Sequence, residues 1–283
     1  MKTVVRFFLI PLWLLIIFTS CTVQDHLRPQ PGNPYENCLI TRIRDVQKIK
    51  LGPDSKLKVG DPFLDYLPEV GPISEIIEVD GQKYALGPLS DLIDEFKYDS
   101  QKRVTEHVHI LTTAKGAEVY SYEYPSPNQL IQKYVHEGFP TQSGTVTYQL
   151  DNEGLIDRTK ESFVSGDYFG HYSYGGNPAN NPVFKNNPSV SEGTNPITGK
   201  YTSIVEFDLS KPNLPNPVPF FGKTDLNLPL NSTLTYETYI PKVVGVEHRY
   251  TFDSQGKVIR RITINTYDSD KGVTVTEYEY KCQ

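Results

Sequence analysis

A tandem aromatic repeat limits what this chain can fold into. Phe96-Lys97-Tyr98-Asp99, Tyr122-Glu123-Tyr124-Pro125 and Tyr148-Gln149-Leu150-Asp151 follow one another at intervals of 26 residues. Tyr172-Ser173-Tyr174-Gly175 comes 24 residues later, Tyr250-Thr251-Phe252-Asp253 follows a long gap, and Tyr278-Glu279-Tyr280 ends the chain. Second strand-like runs accompany these units: RVTEHVHIL, QLIQKYVHE, GLIDRTKES and KVIRRITIN. Each unit reads as strand, tight turn, strand. A lone hairpin cannot bury a face, so the period predicts neighbours stacked edge to edge in one meandering sheet. Long stretches of 3.6-residue periodicity are missing. The expected fold is all-β, an antiparallel meander of repeated β-hairpins, with helix below roughly a tenth of the chain.

Turn chemistry supports this reading. Asp80-Gly81 sits between SEIIEV and QKYAL, and that dipeptide suits a two-residue hairpin turn with positive φ. Asn152-Glu153-Gly154 and Ser254-Gln255-Gly256 occupy equivalent places. Strict alternation puts Val104, Val108 and Ile110 on one face of their strand, and Thr105, His107 and His109 on the other. Likewise Val258, Ile262 and Ile264 oppose Ile259, Arg261 and Thr263. One face is then covered and the other wet. Tyr122 with Tyr124, and Tyr278 with Tyr280, belong to an aromatic stripe that either fills the core or forms an exposed platform. Between Gly175 and Asn231 the rhythm breaks into a Pro/Asn-rich insertion with one strand-like run, Tyr201 to Leu209. A loop of this length is functional or wraps the core, and Phe220 and Phe221 are expected to anchor it by packing.

The N-terminus addresses the chain to export. Lys2 and Arg6 precede an apolar run from Phe7 to Phe18, too short to span a bilayer and of the length of a signal-peptide core. Phe18-Thr19-Ser20-Cys21 resembles the lipobox of bacterial lipoproteins, which implies cleavage after residue 20 and lipidation of Cys21. With Thr22 after the anchor, it implies the outer membrane, at the periplasmic or the cell-surface face. Cleavage leaves 26 basic and 34 acidic residues, a balance of −8, and removes the only tryptophan. Residues 21–37 form a polar, proline-rich tether, and residues 38–283 form the β-repeat domain, with the insertion at 175–231. No nucleic acid is expected as partner, because phosphates need a basic surplus.

Cys38 and Cys282 stand at the two ends of the domain. In an oxidising compartment thiols tend to pair, and a bond between them would close almost the whole domain. Two buried free thiols are the alternative.

CLITRI at Cys38–Ile43, the tandem Y-x-Y-D-x-x-G/R-x-ψ units, the terminal YEYKC and the KPNLPNPVPFF segment together resemble uncharacterised Bacteroidota lipoproteins with YD-like β-hairpin repeats. The resemblance covers most of residues 38–283 and implies an antiparallel β-protein on the cell envelope; it brings no activity and no site residues.

No G-x-S-x-G, H-E-x-x-H, phosphate-loop or dinucleotide motif is present. His107-x-His109 is the one local constellation, since alternate strand residues can reach one metal, with His136 or Glu137 from the next hairpin. The stripe residues Tyr122, Tyr124, Tyr278 and Tyr280 are the candidates for stacking on a glycan. The expected function is a non-enzymatic envelope lipoprotein, a ligand-binding or scaffold module without cofactor. Its partners are the membrane through the anchor and a glycan or an outer-membrane protein. A hydrolase without a local motif ranks last.

Overall fold

The computed structural model describes residues 33–64, 71–111, 116–136, 143–152, 154–163, 166–171, 189–195, 199–221, 225–237, 243–267 and 270–282. The signal segment, Cys21, Glu137 and the Tyr172–Gly175 unit lie outside them. The chain is all-β, as the repeat predicts. Its strands are β1 (Cys38–Lys50), β2 (Glu75–Val79), β3 (Gln82–Tyr98), β4 (Val104–Leu111), β5 (Gly116–Ser126), β6 (Gln129–His136), β7 (Gly144–Leu150) and β8 (Ile156–Phe163). There follow β9 (Gly166–His171), β10 (Ser189–Asn195), β11 (Gly199–Pro212), β12 (Asn227–Tyr236), β13 (Val243–Phe252), β14 (Val258–Tyr267) and β15 (Asp270–Cys282).

All fifteen join one sheet in the order β10-β11-β12-β13-β14-β15-β1-β3-β4-β5-β6-β7-β8-β9, with β2 paired to β3. The chain starts in the middle, meanders to one edge, resumes at the opposite edge and meanders back. Its last strand pairs with its first, and there Cys38 and Cys282 form a disulfide across the β1–β15 ladder. Part of the Pro/Asn-rich insertion continues the meander as β10, β11 and the start of β12. Only the stretch between β11 and β12 is a described loop, closed by a 3-10 turn at Pro219–Phe221.

The repeat has a physical explanation. Asp99 Oδ1 accepts the N–H groups of Gln101 and Arg103, Asp253 Oδ1 those of Gln255 and Lys257, and Asp151 Oδ1 that of Leu155. The fourth turn residue is left-handed in each case: Lys102 (φ 63°), Gly154 (79°) and Gly256 (85°). The next strand then begins with a deeply buried β-branched residue, Val104, Ile156 or Val258. A one-residue bulge follows, so that Thr105, Asp157 and Ile259 are unmatched across the ladder, as Thr41 is after Ile40. A bulge disrupts the ladder and leaves a carbonyl in need of a donor. Tyrosines of the neighbouring strand supply it: Tyr98 donates to Ile40 O, Tyr124 to Val104 O and Tyr280 to Val258 O, at 2.6, 2.9 and 2.7 Å. Tyr250 does the same for Pro229, which precedes the unmatched Leu230.

The bulges also correct the alternation. Val104 and Val258 fall on the same face as His107 and Arg261, not with Val108 or Ile262, because the extra residue reverses the pleat. The sheet rolls around this inner face. Ile40, Phe96, Val104, Tyr122, Leu130, Tyr148, Ile156, Val258 and Tyr278 pack together there, and the loop after β11 crosses to join them. Phe220 meets Tyr122 with ring centroids 5.3 Å apart, although seven strand steps separate β12 from β5. The side chain of Phe221 lies outside the described atoms. Tyr35, within the expected tether, is packed here too, its hydroxyl accepting the Val258 N–H.

The outer face differs. The β2–β3 hairpin, turned at Asp80-Gly81 with φ of 50° and 79°, folds over it and buries Ile77, Val79 and Tyr84 against Ile264, Val273 and Val275. Asp80 fastens the turn to Arg249 and Lys271 at 2.7 and 2.9 Å. Elsewhere that face carries ion pairs: Arg44–Glu277, Arg260–Glu277, Arg42–Glu279, Lys97–Glu106 and Lys133–Glu123.

Candidate functional site

The inner face changes character along its strands. Near the Asp-capped turns it is the tyrosine core; farther along it becomes polar. The ladder registers decide which polar groups meet. β3 places Phe96 opposite His107 and Asp94 opposite His109. β5 places Tyr120 opposite His107 and Glu118 opposite His109, and β6 sets His136 opposite Glu118. Asp94, His109, Glu118 and His136 thus form one row across four adjacent strands.

His107 Nε2 and His109 Nδ1 both lie 2.7 Å from the same oxygen, Oδ1 of Asp94. Burial alone would raise the Asp94 carboxyl, but hydrogen bonds from the two imidazoles outweigh it and hold the pKa below the usual carboxylate range. The carboxylate is therefore ionised at neutral pH and can only accept, so both ring nitrogens present N–H to it. His107 is clamped between Phe96 and Tyr120, with centroids 4.6 and 5.3 Å away and planes within 18° and 21°. Tyr120 donates to Glu118 Oε2 at 2.5 Å, and His136 Nε2 lies 3.8 Å from Glu118 Oε1. Burial and the adjacent Glu118 carboxylate raise the Tyr120 pKa. The side chains of Asp94, His107 and His109 are 16, 18 and 26% exposed, so solvent reaches the cluster.

His248 is separate. On the far side of β1 it contacts Thr263 Oγ1 at 3.1 Å, and burial together with Arg261 lowers its pKa to about 4. It is neutral at physiological pH.

The expected pair His107 and His109 is thus brought together, with Asp94 added from β3. His136 stands one strand beyond Glu118. Sequence reading missed Asp94 and Glu118. They join the histidines through the ladder registers of β3 and β5 on β4, and the bulge at Thr105 that sets Asp94 against His109 has no local signal in the sequence. The stripe tyrosines are placed differently from a binding platform. Tyr122 and Tyr278 are buried, and Tyr124 and Tyr280 are half-buried with their hydroxyls bonded to backbone. Burial raises all four pKa values, to about 12 for Tyr124 and Tyr278. Their rings pack on core neighbours.

Fold and site together define an antiparallel meander rolled around a half-aromatic, half-polar inner face. No protein-family model matches the chain, and no curated protein does. Among solved structures it is similar to a porin-like protein from Bacteroides uniformis ATCC 8492, at 13% identity and a TM-score of 0.45, over 86% of this chain and 96% of that one.

Proposed function

We propose that this chain is a non-enzymatic, lipid-anchored module of the cell envelope that binds its ligand at the polar half of the inner face. The observation that carries this reading is the division of that face. One half is spent on packing, whereas Asp94, His107 and His109 converge at a solvent-reachable place beside Glu118 and His136, and His107 is held between stacked rings. Export is supported by the signal-like start and by the Cys38–Cys282 disulfide, since such bonds persist in oxidising compartments. The charged outer face argues for attachment through Cys21 rather than for strands facing lipid. Lipid-facing strands turn apolar residues outward, and a mid-bilayer Arg costs about 2–4 kcal/mol. Here the corresponding positions hold Arg42, Arg44, Arg260 and Glu277.

Metabolic labelling with a palmitate analogue tests the anchor, with Cys21→Ala as control. Label lost together with membrane association supports it; a membrane-bound, unlabelled wild type refutes it. Protease shaving of intact against lysed cells then decides between the surface and the periplasmic side.

A further inference from the structure

The geometry points to a divalent transition-metal site, of the Zn²⁺ class, formed by Asp94, His107 and His109. It rests on the reading of the polar inner face as the ligand-binding face and names the ligand. Three donors from two adjacent strands have their ligating atoms within 4.8 Å of one another, two nitrogens and one carboxylate oxygen. Two imidazoles and a carboxylate suit Zn²⁺ and its neighbours in the first transition row, and three protein ligands leave a coordination position for water or a further ligand. A tetrahedral ion with bonds of about 2.0–2.1 Å keeps its ligand atoms roughly 3.3 Å apart. The nitrogens stand 2.7 Å from Asp94 Oδ1, so each need withdraw by only about half an ångström to admit the ion.

The surroundings favour the ion in three ways. First, the Phe96–His107–Tyr120 stack fixes one ligand ring before binding, so little side-chain freedom is lost. Second, the carboxylates of Asp94 and Glu118 match the double positive charge, and Glu118, held by Tyr120, waits one strand away as an outer partner. Third, the ring nitrogens that face Asp94 are the ones that would coordinate, so neither imidazole has to flip. His248 belongs to a different part of the face and takes no part.

The test uses the full chain, untagged, purified and stripped with EDTA. It is titrated with Zn²⁺ by calorimetry and with Co²⁺, whose visible absorption reports its coordination. One ion per chain is expected, with Zn²⁺ displacing Co²⁺. His107→Gln/His109→Gln, close in size to the native rings, should weaken binding by about 100-fold or more, and Glu118→Gln on the order of tenfold. Far-UV circular dichroism and the mass of the intact disulfide check that the variants fold. A readout without any variant is carbethoxylation of histidines mapped by mass: bound Zn²⁺ should protect His107 and His109. No saturable one-to-one binding by the wild type, wild-type affinity in the double variant, or unchanged modification of both histidines would each overturn the site. The acylation test is independent of metal, so its failure and the failure of this site are distinguishable.

Discussion

Reducing the Cys38–Cys282 bond should cost the protein more stability than removing any one side chain. The two cysteines are 244 residues apart, so the bond closes essentially the whole domain into a ring. The loop-entropy relation gives roughly 5 kcal/mol for a closure of this size. The native side changes little, because β1 and β15 pair along their length whether or not the bond exists. Cys282 is exposed, so a reductant can reach it. The loss therefore falls on the denatured state, which expands when the ring opens. Urea unfolding of the oxidised protein is compared with that of the reduced protein or of Cys38→Ser/Cys282→Ser. A lower midpoint is expected together with a steeper dependence on urea, since the opened chain exposes more surface. A loss under about 1 kcal/mol, or a shallower slope after reduction, would refute the reasoning, because either would mean that the denatured chain is not restrained by its termini.

Other outcomes follow from the same structure. Leu130→Ala, fully buried in the tyrosine core, should cost about 2–5 kcal/mol, against less than about 0.5 for the exposed Val135→Ala, both read from urea midpoints. Gly87→Ala should destabilise by about 1–3 kcal/mol, because the new Cβ would stand 2.6 Å from ring carbons of the buried Phe63; a neutral result would mean that this corner of β3 yields freely. Tyr280→Phe should lose about 1 kcal/mol by leaving the Val258 carbonyl beside its bulge without a donor, measured by the same unfolding assay. Acid should destabilise the fold. Burial would raise the Glu277 carboxyl, but hydrogen bonds from Arg260 and Arg44 outweigh it and hold it low, and Arg249 and Lys271 hold Asp80 at about 2. Folded pKa values below the unfolded ones stabilise above the ordinary carboxylate range, and the gain is lost as pH falls through the folded values. Urea midpoints should thus hold near pH 5–7 and fall below about pH 4, where Glu277→Gln should flatten part of the decline.

How much was legible in advance differs by level. The hairpin units announced themselves because each must solve the same problem, turning a strand and burying one face, and so repeats the same residues. Asp99, Asp151 and Asp253 were readable as turn residues since their work is local, a side chain bonding amides two and four residues on. The bulges were not readable. Whether Thr105 or Ile259 stands outside the ladder depends on hydrogen bonding with another strand, and a slip of one residue moves every later side chain to the opposite face. Alternation therefore set Val104 against His107, while the fold seats them together.

The same division governs the candidate site. His107 and His109 share a face by the two-residue period of any strand, which a sequence displays directly. Asp94 joins them only through the register of β3 on β4, and Glu118 and His136 only through two further ladders. The tyrosine stripe was visible as a pattern, but its direction was not: an aromatic row fits a core or an exposed platform until the curl of the sheet chooses. Sequence alone determined the repeated hairpin, its turns and the cysteines at both ends, because those are short-range chemistry. The tertiary structure decided which face turned inward, what the tyrosine hydroxyls satisfy and which carboxylate stands between the two imidazoles, because these depend on contacts between strands far apart in the chain.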